Sequence, residues 1–297
     1  MTVPHPPVPA TVAASADQLE HRAGFDPTFL GVDVPMPDLA AEVPTVLLPY
    51  LHYSVLFRPD RRLAALTALS LDGAHLVALA RSDSWQLDPR LAAELQAGPA
   101  IYANNILDRG HLVMRASSTW GETAEEAHRA EIDTFYFTNA APQAALFNQG
   151  RELWLGLEEY LQEHAATFDR KLVVLAGPVL DQADPPYRGI QIPLRFWKVV
   201  AFIQDGELAA TGYLLDQSPL VDDRLETLLA EAAAAGAVPP LGPFRTFQVP
   251  IAHIAELTGV RLGQLAAVDR LPVAPSVDKG VGAWRELHAL DDVQFAA

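Results

Sequence analysis

Three consecutive residues, Arg109, Gly110 and His111, would bring a guanidinium and an imidazole close together on one short segment. An imidazole titrates near neutral pH and can take a proton from a water molecule. A guanidinium beside a metal ion can stabilise the negative charge that develops when a phosphoryl group is attacked. The tripeptide is therefore a candidate for acid–base work on a phosphate ester, provided that the fold delivers it at the end of a strand.

Two oxygen-bearing side chains further along the chain could hold a cation. Asn148 would open a helix, and Glu158 lies ten residues along it. At about 100° per residue this spacing is only ~80° short of three full turns, so both side chains can face one side. The chain has no cysteine. Oxygen ligands without thiolates suit a hard cation such as Mg²⁺, which keeps several waters and takes few protein ligands.

Each of these features also has a structural interpretation. A lone histidine is more often structural than catalytic, and the chain has nine histidines. An asparagine near a helix start is most often only an N-cap, and a glutamate on a helix usually faces solvent. The ordered combination, rather than any one residue, favours the chemical interpretation.

Several motifs, in this order, resemble those of the DNA/RNA non-specific endonuclease family, which includes mitochondrial endonuclease G and carries a ββα-metal (His-Me) finger. They are Asp108–His111, Thr138–Gln143, Asn148–Gly150, and Trp154 with Glu158. Further matching stretches are Trp85–Pro89, Leu175–Val179 and Ile192–Lys198. The resemblance extends over residues 47–265.

The resemblance implies roles for five residues. His111 would be the general base that activates the attacking water, and Arg109 would support the phosphate or the strand that carries His111. Asn139 would orient groups near His111. Asn148 would be the single direct ligand of a hydrated Mg²⁺ (Mn²⁺ or another divalent cation being possible), with Glu158 holding metal-bound waters. The implied substrates are DNA and RNA, cut to 5′-phosphate and 3′-hydroxyl ends, and the chain could form a homodimer.

The chain also departs from the family pattern. Two residues are inserted before Trp154, so Glu158 sits later along its helix than usual. Gln162 stands where some members carry a phosphate-binding arginine. Arg81 lies four residues before Trp85, and Asp83 occupies the position two before it. The candidate substrate-binding residues are therefore Arg81 and Arg115, although Arg115 could equally be a plain surface residue.

Taken at face value, the formal net charge of −16 argues against a nucleic-acid partner. The acidity is unevenly spread, however: residues 44–120 hold seven arginines against six acids. Half of the residues are hydrophobic, which excludes a disordered chain, and the lack of cysteine excludes a disulfide scaffold. No apolar stretch reaches the roughly 20 residues of a membrane span, and no ordinary secretory signal is visible. We therefore expect no membrane association and a cytoplasmic chain by default, with non-classical export possible.

The order of strand-like and helix-like patterns around these residues predicts an α+β fold, with a mainly antiparallel sheet flanked by helices. Predicted strands lie at Tyr53–Phe57, Leu63–Leu69, His75–Leu79, Thr134–Phe137, Lys171–Ala176 and Trp197–Ile203. Predicted helices lie at 122–132, Gln149–Ala165, Leu220–Ala235 and Ile251–Leu257, the third one capped by Ser218 and Pro219.

The predicted organisation is a loosely packed Pro/Ala-rich arm over residues 1–45, an endonuclease domain over 46–270 and a tail over 271–297. The leading hypothesis is a Mg²⁺-dependent nuclease that does not discriminate between the sugars of DNA and RNA. The alternative is a nuclease-fold binding or interaction protein that has lost turnover. A closed structural metal site is a poorer interpretation, because one Asn and one Glu make an incomplete cage.

Overall fold

The computed structural model describes residues 14–79, 83–144, 165, 169–218, 225–237, 245–271, 284–287 and 292–293. Within these ranges the strands are, in chain order, β1 (Val46–Pro49), β2 (Tyr53–Arg58), β3 (Leu63–Asp72), β4 (Leu107–His111), β5 (Ala140–Ala144), β6 (Lys171–Val179), β7 (Pro186–Tyr187), β8 (Ile190–Gln191), β9 (Arg195–Gln204), β10 (Glu207–Asp216), β11 (Arg245–Val249) and β12 (Arg285–Leu287). Eight of them form one antiparallel sheet in the order β1-β2-β3-β6-β9-β10-β11-β12. β4 pairs only with β5, and β7 only with β8. The predicted α+β class is confirmed.

The described helices are short, with four to eleven residues each. They are Ala16–Glu20, Pro99–Tyr102, Arg115–Ser118, Ala124–Asp133, Leu225–Ala235, Ile251–Thr258 and Gly263–Ala266. The Ala124–Asp133 helix begins where the Thr123 side chain accepts a hydrogen bond from the Glu126 N–H, which satisfies one of the free donors of the first turn. In the part of the chain that the structure describes, no helix is long and apolar enough to cross a bilayer.

Side-chain alternation along the strands separates two cores. On β6, Leu172 and Val174 point to one face of the sheet, and Val173 and Leu175 point to the other. The first face, here the site-side core, also buries Leu112 and Ala141 from the β4–β5 region. The second face is covered by the Ile251–Thr258 and Gly263–Ala266 helices through residues such as Ile254 and Leu265. The β4–β5 unit is thus held against one side of a sheet that is buried on both sides.

The described part of the predicted arm is packed against the domain, which differs from the loose packing expected of it. Leu19 is fully buried in the site-side core, and the Phe25 N–H donates to the Ser54 hydroxyl at 2.9 Å. Arg22 pairs with the buried Asp133 at 2.8 Å. The reason is that scattered apolar residues without periodicity can still fill gaps at a sheet edge. The domain boundaries at residues 45 and 270 stay predictions.

Most of the predicted elements that fall on described residues are confirmed, and two strands are wrong. Instead of a strand at His75–Leu79, a 3₁₀ turn spans Gly73–His75, because the Asp72 carboxylate accepts from the Ala74 N–H and turns the chain. Thr134–Phe137 is a turn that leads into a 3₁₀ helix at Phe137–Asn139; its β-prone side chains are buried without a strand ladder. The Leu220–Ala235 helix is observed from Leu225 onward, while Pro219 and all of Gln149–Ala165 except Ala165 lie outside the described residues.

Candidate active site

His111 is the last residue of β4, where it lies opposite Ala140 of β5. One residue earlier, Gly110 lies opposite Ala141, and the side chain of Gln143 crosses over it. A Cβ atom on Gly110 would lie 2.0 Å from Cδ of Gln143, so only glycine fits beneath this side chain. Gln143 itself is buried. The glycine between the arginine and the histidine is therefore needed for packing, not for flexibility.

Asn139 holds the backbone that follows His111. Its Oδ1 accepts from the Val113 N–H at 2.9 Å, and its Nδ2 donates to the carbonyl oxygens of Val113 at 3.1 Å and Thr134 at 3.0 Å. Its own carbonyl oxygen accepts from the Leu112 N–H at 3.0 Å. Asn139 is fully buried, so losing these bonds would leave buried groups unpaired. The predicted orienting residue is thus in direct contact with the segment after His111.

The His111 ring is packed between two aromatic residues. Its centroid is 4.6 Å from that of Trp85 and 5.1 Å from that of Phe135, which meets it edge-on. The guanidinium carbon of Arg109 lies 5.5 Å from the centre of the Trp85 ring. Side chains two apart on a strand share a face, and Trp85 contacts both of them. The structure therefore brings together the guanidinium and the imidazole that the sequence analysis singled out.

A buried polar cluster fixes the loop that carries Trp85. Asp88 accepts a hydrogen bond from the Tyr50 hydroxyl and forms an ion pair with Arg90 at 2.6 Å. The Tyr50 oxygen also lies 2.5 Å from Oγ1 of Thr138, the neighbour of Asn139. Burial, reinforced by the Asp88 charge, raises the pKa of Tyr50 well above its usual value, so its proton stays in place. The cluster joins the Trp85 loop to the segment that holds His111.

An open cleft of about 570 Å³ lies beside this arrangement. We call it the Arg109 cleft; it is lined by Asp83, Ser84, Trp85, Pro99, Tyr102, Ala103, Asn105, Leu107, Asp108, Arg109 and Phe137. Arg109 and Asp83 form an ion pair in it at 3.6 Å, and both side chains are substantially exposed. A pair of this kind is weak. A phosphate that enters the cleft could therefore replace Asp83 as the partner of the Arg109 guanidinium.

Arg115, the other described arginine with a predicted substrate role, is engaged elsewhere. Its Nη1 lies 3.4 Å from Oε1 of Glu131, whose side chain is buried, and 3.4 Å from the Leu79 carbonyl oxygen. His128 approaches the other Glu131 oxygen at 3.3 Å. Removing Arg115 would leave a buried carboxylate with less compensation. The geometry gives Arg115 a structural task, and its contact with substrate stays a prediction.

The predicted metal ligands Asn148 and Glu158, and the arginine Arg81, lie outside the described residues. Within the described ranges no cluster of three or more metal-ligating side chains occurs. Two observations bear on where the predicted helix would run. Ala165 is buried in the site-side core together with Leu112 and Ala141. Asn148 follows the last residue of β5 by four positions, a reach of at most ~14 Å. The amide and carboxylate oxygens are the donors that Mg²⁺ prefers, so the residue set fits such an ion.

Three further residues, for which the sequence predicted no role, also shape this site. Gln143 and Asp88 lie within the stretches that resemble the family, and that is the signal by which they could have been found. Tyr50 follows an apolar run that ends in Pro49 and carries no local signal. Its contribution comes from contacts with Asp88 and Thr138, which are 38 and 88 residues away.

Residues 38–269 match the family model described as DNA/RNA non-specific endonuclease. The chain belongs to the DNA/RNA non-specific endonuclease family.

Individual relatives agree with this assignment. The chain is 37% identical to "Uncharacterized protein y4fB" of Sinorhizobium fredii, over 94% of this chain and 44% of that protein. It is 26% identical to mitochondrial endonuclease G of Bos taurus, over 61% of this chain and 58% of the relative. The human endonuclease G is 25% identical, over 63% and 61%. The chain thus spans about half the length of the curated relatives it matches.

The fold is also similar to a solved one. A chain in the crystal structure of the EndoG/EndoGI complex superimposes with a TM-score of 0.53 at 17% identity, covering 72% of this chain and 84% of that chain. At this identity the likeness concerns the fold alone. It agrees with the mainly antiparallel sheet with flanking helices described above.

Proposed function

We propose that this protein is a divalent-metal-dependent nuclease that hydrolyses phosphodiester bonds of DNA and RNA. The observation that carries the proposal is the immobilised end of β4. Gln143 packs over Gly110, the buried Asn139 holds the next residues, and Trp85 packs against His111. A side chain held in this way beside an open cleft suits a group that must act at one fixed place.

In the proposed reaction His111 takes a proton from a water molecule, and that water attacks phosphorus. The bond from phosphorus to the 3′ oxygen breaks and this oxygen takes up a proton from solvent, which gives a 5′-phosphate and a 3′-hydroxyl end. Asn148 would hold a divalent cation, with Glu158 bound to its waters, and the ion would stabilise the charge on the leaving oxygen. Mg²⁺ fits this donor set, and Mn²⁺ would fit it too.

Arg109 is the residue that we assign to the phosphate. Its guanidinium packs on Trp85 and is only weakly paired with the exposed Asp83. The planar fork of an arginine matches two phosphate oxygens at once, which a lysine does not. We therefore expect substrate to displace Asp83 from Arg109. Asn139 acts through its bonds to the backbone after His111, as a positioning residue.

The test is cleavage of supercoiled plasmid DNA and of a structured RNA, assayed with Mg²⁺, with Mn²⁺ and with excess EDTA. We expect both nucleic acids to be cut with either metal and neither to be cut after chelation. Asn148→Ala should abolish or strongly weaken the response to Mg²⁺, and an unchanged Mg²⁺ titration would refute its role as ligand. A wild-type protein that binds DNA but does not cut it, whichever common divalent metal is added, would support the alternative, a silent nuclease-fold binding protein.

A further inference from the structure

Two tight turns that each carry an arginine meet at one end of the molecule. The β2–β3 turn ends in Arg62, and the β7–β8 turn consists of Arg188 and Gly189. Arg62 donates from Nη1 to the Gly189 carbonyl oxygen at 3.3 Å, although the two residues are 127 positions apart. Its Nη2 donates to the Gln96 carbonyl oxygen at 2.8 Å. We call the two turns together the arginine turns.

Both arginines have left-handed backbone conformations. The φ angle is 59° at Arg62 and 46° at Arg188. Arg188 and Gly189, at φ 81°, are the two central residues of a two-residue hairpin, a position where Asn, Asp or Gly is favoured because φ must be positive. An arginine there costs backbone energy. Such a departure from local preference is a reason to look for a function of the side chain.

The charges of these two arginines are not compensated as those of their neighbours are. In the β2–β3 turn, Arg58 pairs with Asp60 at 2.5 Å and Arg61 pairs with Asp184 at 3.5 Å. Neither Arg62 nor Arg188 has a carboxylate partner in the ranges that the structure describes. In a chain with a net charge of −16, two adjacent arginines that have no acidic partner among the described residues add a local positive charge.

Arg188 stands between the Arg109 cleft and a second groove. Its Nη1 donates to the carbonyl oxygens of Ala100 at 2.8 Å and Ala103 at 2.6 Å, and Ala103 lines the Arg109 cleft. Arg188 also lines a second groove of about 390 Å³, together with Asp60, Arg61, Gly236 and the rest of the 186–191 hairpin. The side chain of Arg188 is exposed. A polymer that leaves the cleft past Ala103 would therefore meet this guanidinium next.

We propose that the arginine turns bind a phosphate of the nucleic-acid backbone that flanks the scissile one, with Arg188 as the direct contact. Arg62 supports it by holding the Gly189 carbonyl and by adding its own charge. This inference rests on the proposed function, because it assigns a second position on the same substrate. The ligand of the Arg109 cleft and the arginine turns together would then be a stretch of nucleic-acid backbone, rather than a single phosphodiester.

The test separates flanking contacts from chemistry. Binding of a fluorescein-labelled 24-nucleotide single strand is measured by anisotropy in the His111→Ala background, at several salt concentrations. Turnover is measured in proteins that keep His111. The substrates are the same strand and bis(p-nitrophenyl) phosphate, a diester without flanking phosphates. The variants are Arg188→Gln and Arg188→Lys, with Arg261→Gln as the matched control. Arg261 is exposed and pairs with the equally exposed Asp38 at 3.0 Å.

For Arg188→Gln we expect a Kd for the 24-mer about tenfold higher at low salt and a salt slope smaller by about 0.7, as for one lost phosphate contact on a single strand. Turnover of the small diester should be unchanged. Arg188→Lys should recover most of the affinity, and Arg261→Gln should behave as the wild type.

Two results would overturn this inference. One is an unchanged Kd and salt slope in Arg188→Gln. The other is an equal loss of turnover on both substrates together with a lower melting temperature, which would mean that Arg188 only caps the Ala100 and Ala103 carbonyls. If no variant or wild type cuts any substrate while the 24-mer still binds through Arg188, the proposed function fails and the binding site stands.

Discussion

The β4–β5 unit and the arginine turns adjoin the same cleft, but they are built in opposite ways. Around His111 the supporting groups are buried amides, Asn139 and Gln143, and packing leaves no room for a side chain at Gly110. At the arginine turns the charged group is exposed at the tip of a two-residue hairpin with left-handed backbone. The proposed general base is thus held by buried packing, whereas the two arginines proposed to contact the flanking polymer are held at exposed turns by hydrogen bonds to backbone carbonyl oxygens.

The largest effect should come from the fixed side of this comparison. His111→Ala should reduce turnover of plasmid DNA by a factor of about 10² to 10⁴, as is typical when a general base is lost, because water then attacks without a proton acceptor. The Kd for DNA should be nearly unchanged, since affinity comes from the cationic groups. Initial rates and anisotropy on the same preparation check both. Wild-type turnover of the variant after stringent purification would contradict the assignment of His111.

A second variant tests whether packing at Gly110 is what fixes His111. Gly110→Ala would place Cβ against the Gln143 side chain. The strand must then shift, and a displacement of about 1 Å at a reacting group can cost ~10²-fold in rate. Gly263→Ala is the matched control, because nothing lies within 4 Å of its added Cβ. Plasmid nicking rates measure the loss.

The rescue for Gly110→Ala is a second substitution in the same protein. Gln143→Ala removes the Cγ, Cδ and Oε1 atoms that the new Cβ would meet. The double variant should therefore regain part of the lost rate, and the two substitutions should be non-additive. If the double variant is as slow as the product of the single effects, the close contact is not the cause.

A pH effect is expected near the arginine turns, where Asp184 pairs with Arg61. Burial raises the pKa of Asp184 to about 6, against an unfolded value near 4. The native state therefore binds this proton more tightly than the unfolded chain, so the contribution of Asp184 to stability is greatest below pH 4 and declines as pH rises to 6. Over that interval the wild type should lose about 2 kcal/mol more free energy of unfolding than Asp184→Asn. The measurement is urea unfolding of both proteins at several pH values between 4 and 6. The same change of unfolding free energy with pH in both proteins would contradict this prediction.

The smallest effect concerns the exposed pair in the cleft. Asp83→Asn removes the carboxylate that lies 3.6 Å from Arg109. Because exposed pairs contribute about 0.2–1 kcal/mol, we expect the Kd for DNA to fall by a factor of about 1.4 to 5, with stability nearly unchanged. Anisotropy at low and high salt measures the change, which should shrink as salt rises. Weaker binding by Asp83→Asn would mean that Asp83 positions Arg109 instead of competing with substrate.

Much of the fold could be predicted because its strands have clear local signals. The apolar runs at Tyr53–Phe57 and Lys171–Ala176 are strands, and the turn between Arg58 and Leu63 is where the sequence places it. The errors fall where a side chain overrides propensity, as when Asp72 caps a turn. Thr134–Phe137 has β-prone residues, yet its backbone is held by Asn139 and the Trp85 loop instead of a strand partner.

For the candidate site, the motifs alone were enough to predict the family and to single out the candidate residues. Arg109, Gly110 and His111 are adjacent in the chain, so strand geometry alone brings the guanidinium and the imidazole to one face. The distribution of charge can also be read from the sequence. The excess of acidic residues lies outside residues 44–120, so the net charge does not argue against a polyanionic substrate. Both features depend on residues that are close together in the chain, so local sequence is enough to predict them.

Only the tertiary structure decided which distant partner each charged or polar side chain meets. Arg115 pairs with Glu131, Tyr50 binds Asp88 and Thr138, and Arg62 meets Gly189. Local propensity carries no information about contacts between residues so far apart in the chain, because they form only when the sheet and its two cores are assembled. Seven arginines are visible in residues 44–120, but which of them are neutralised, and which can hold a phosphate, depends on that assembly.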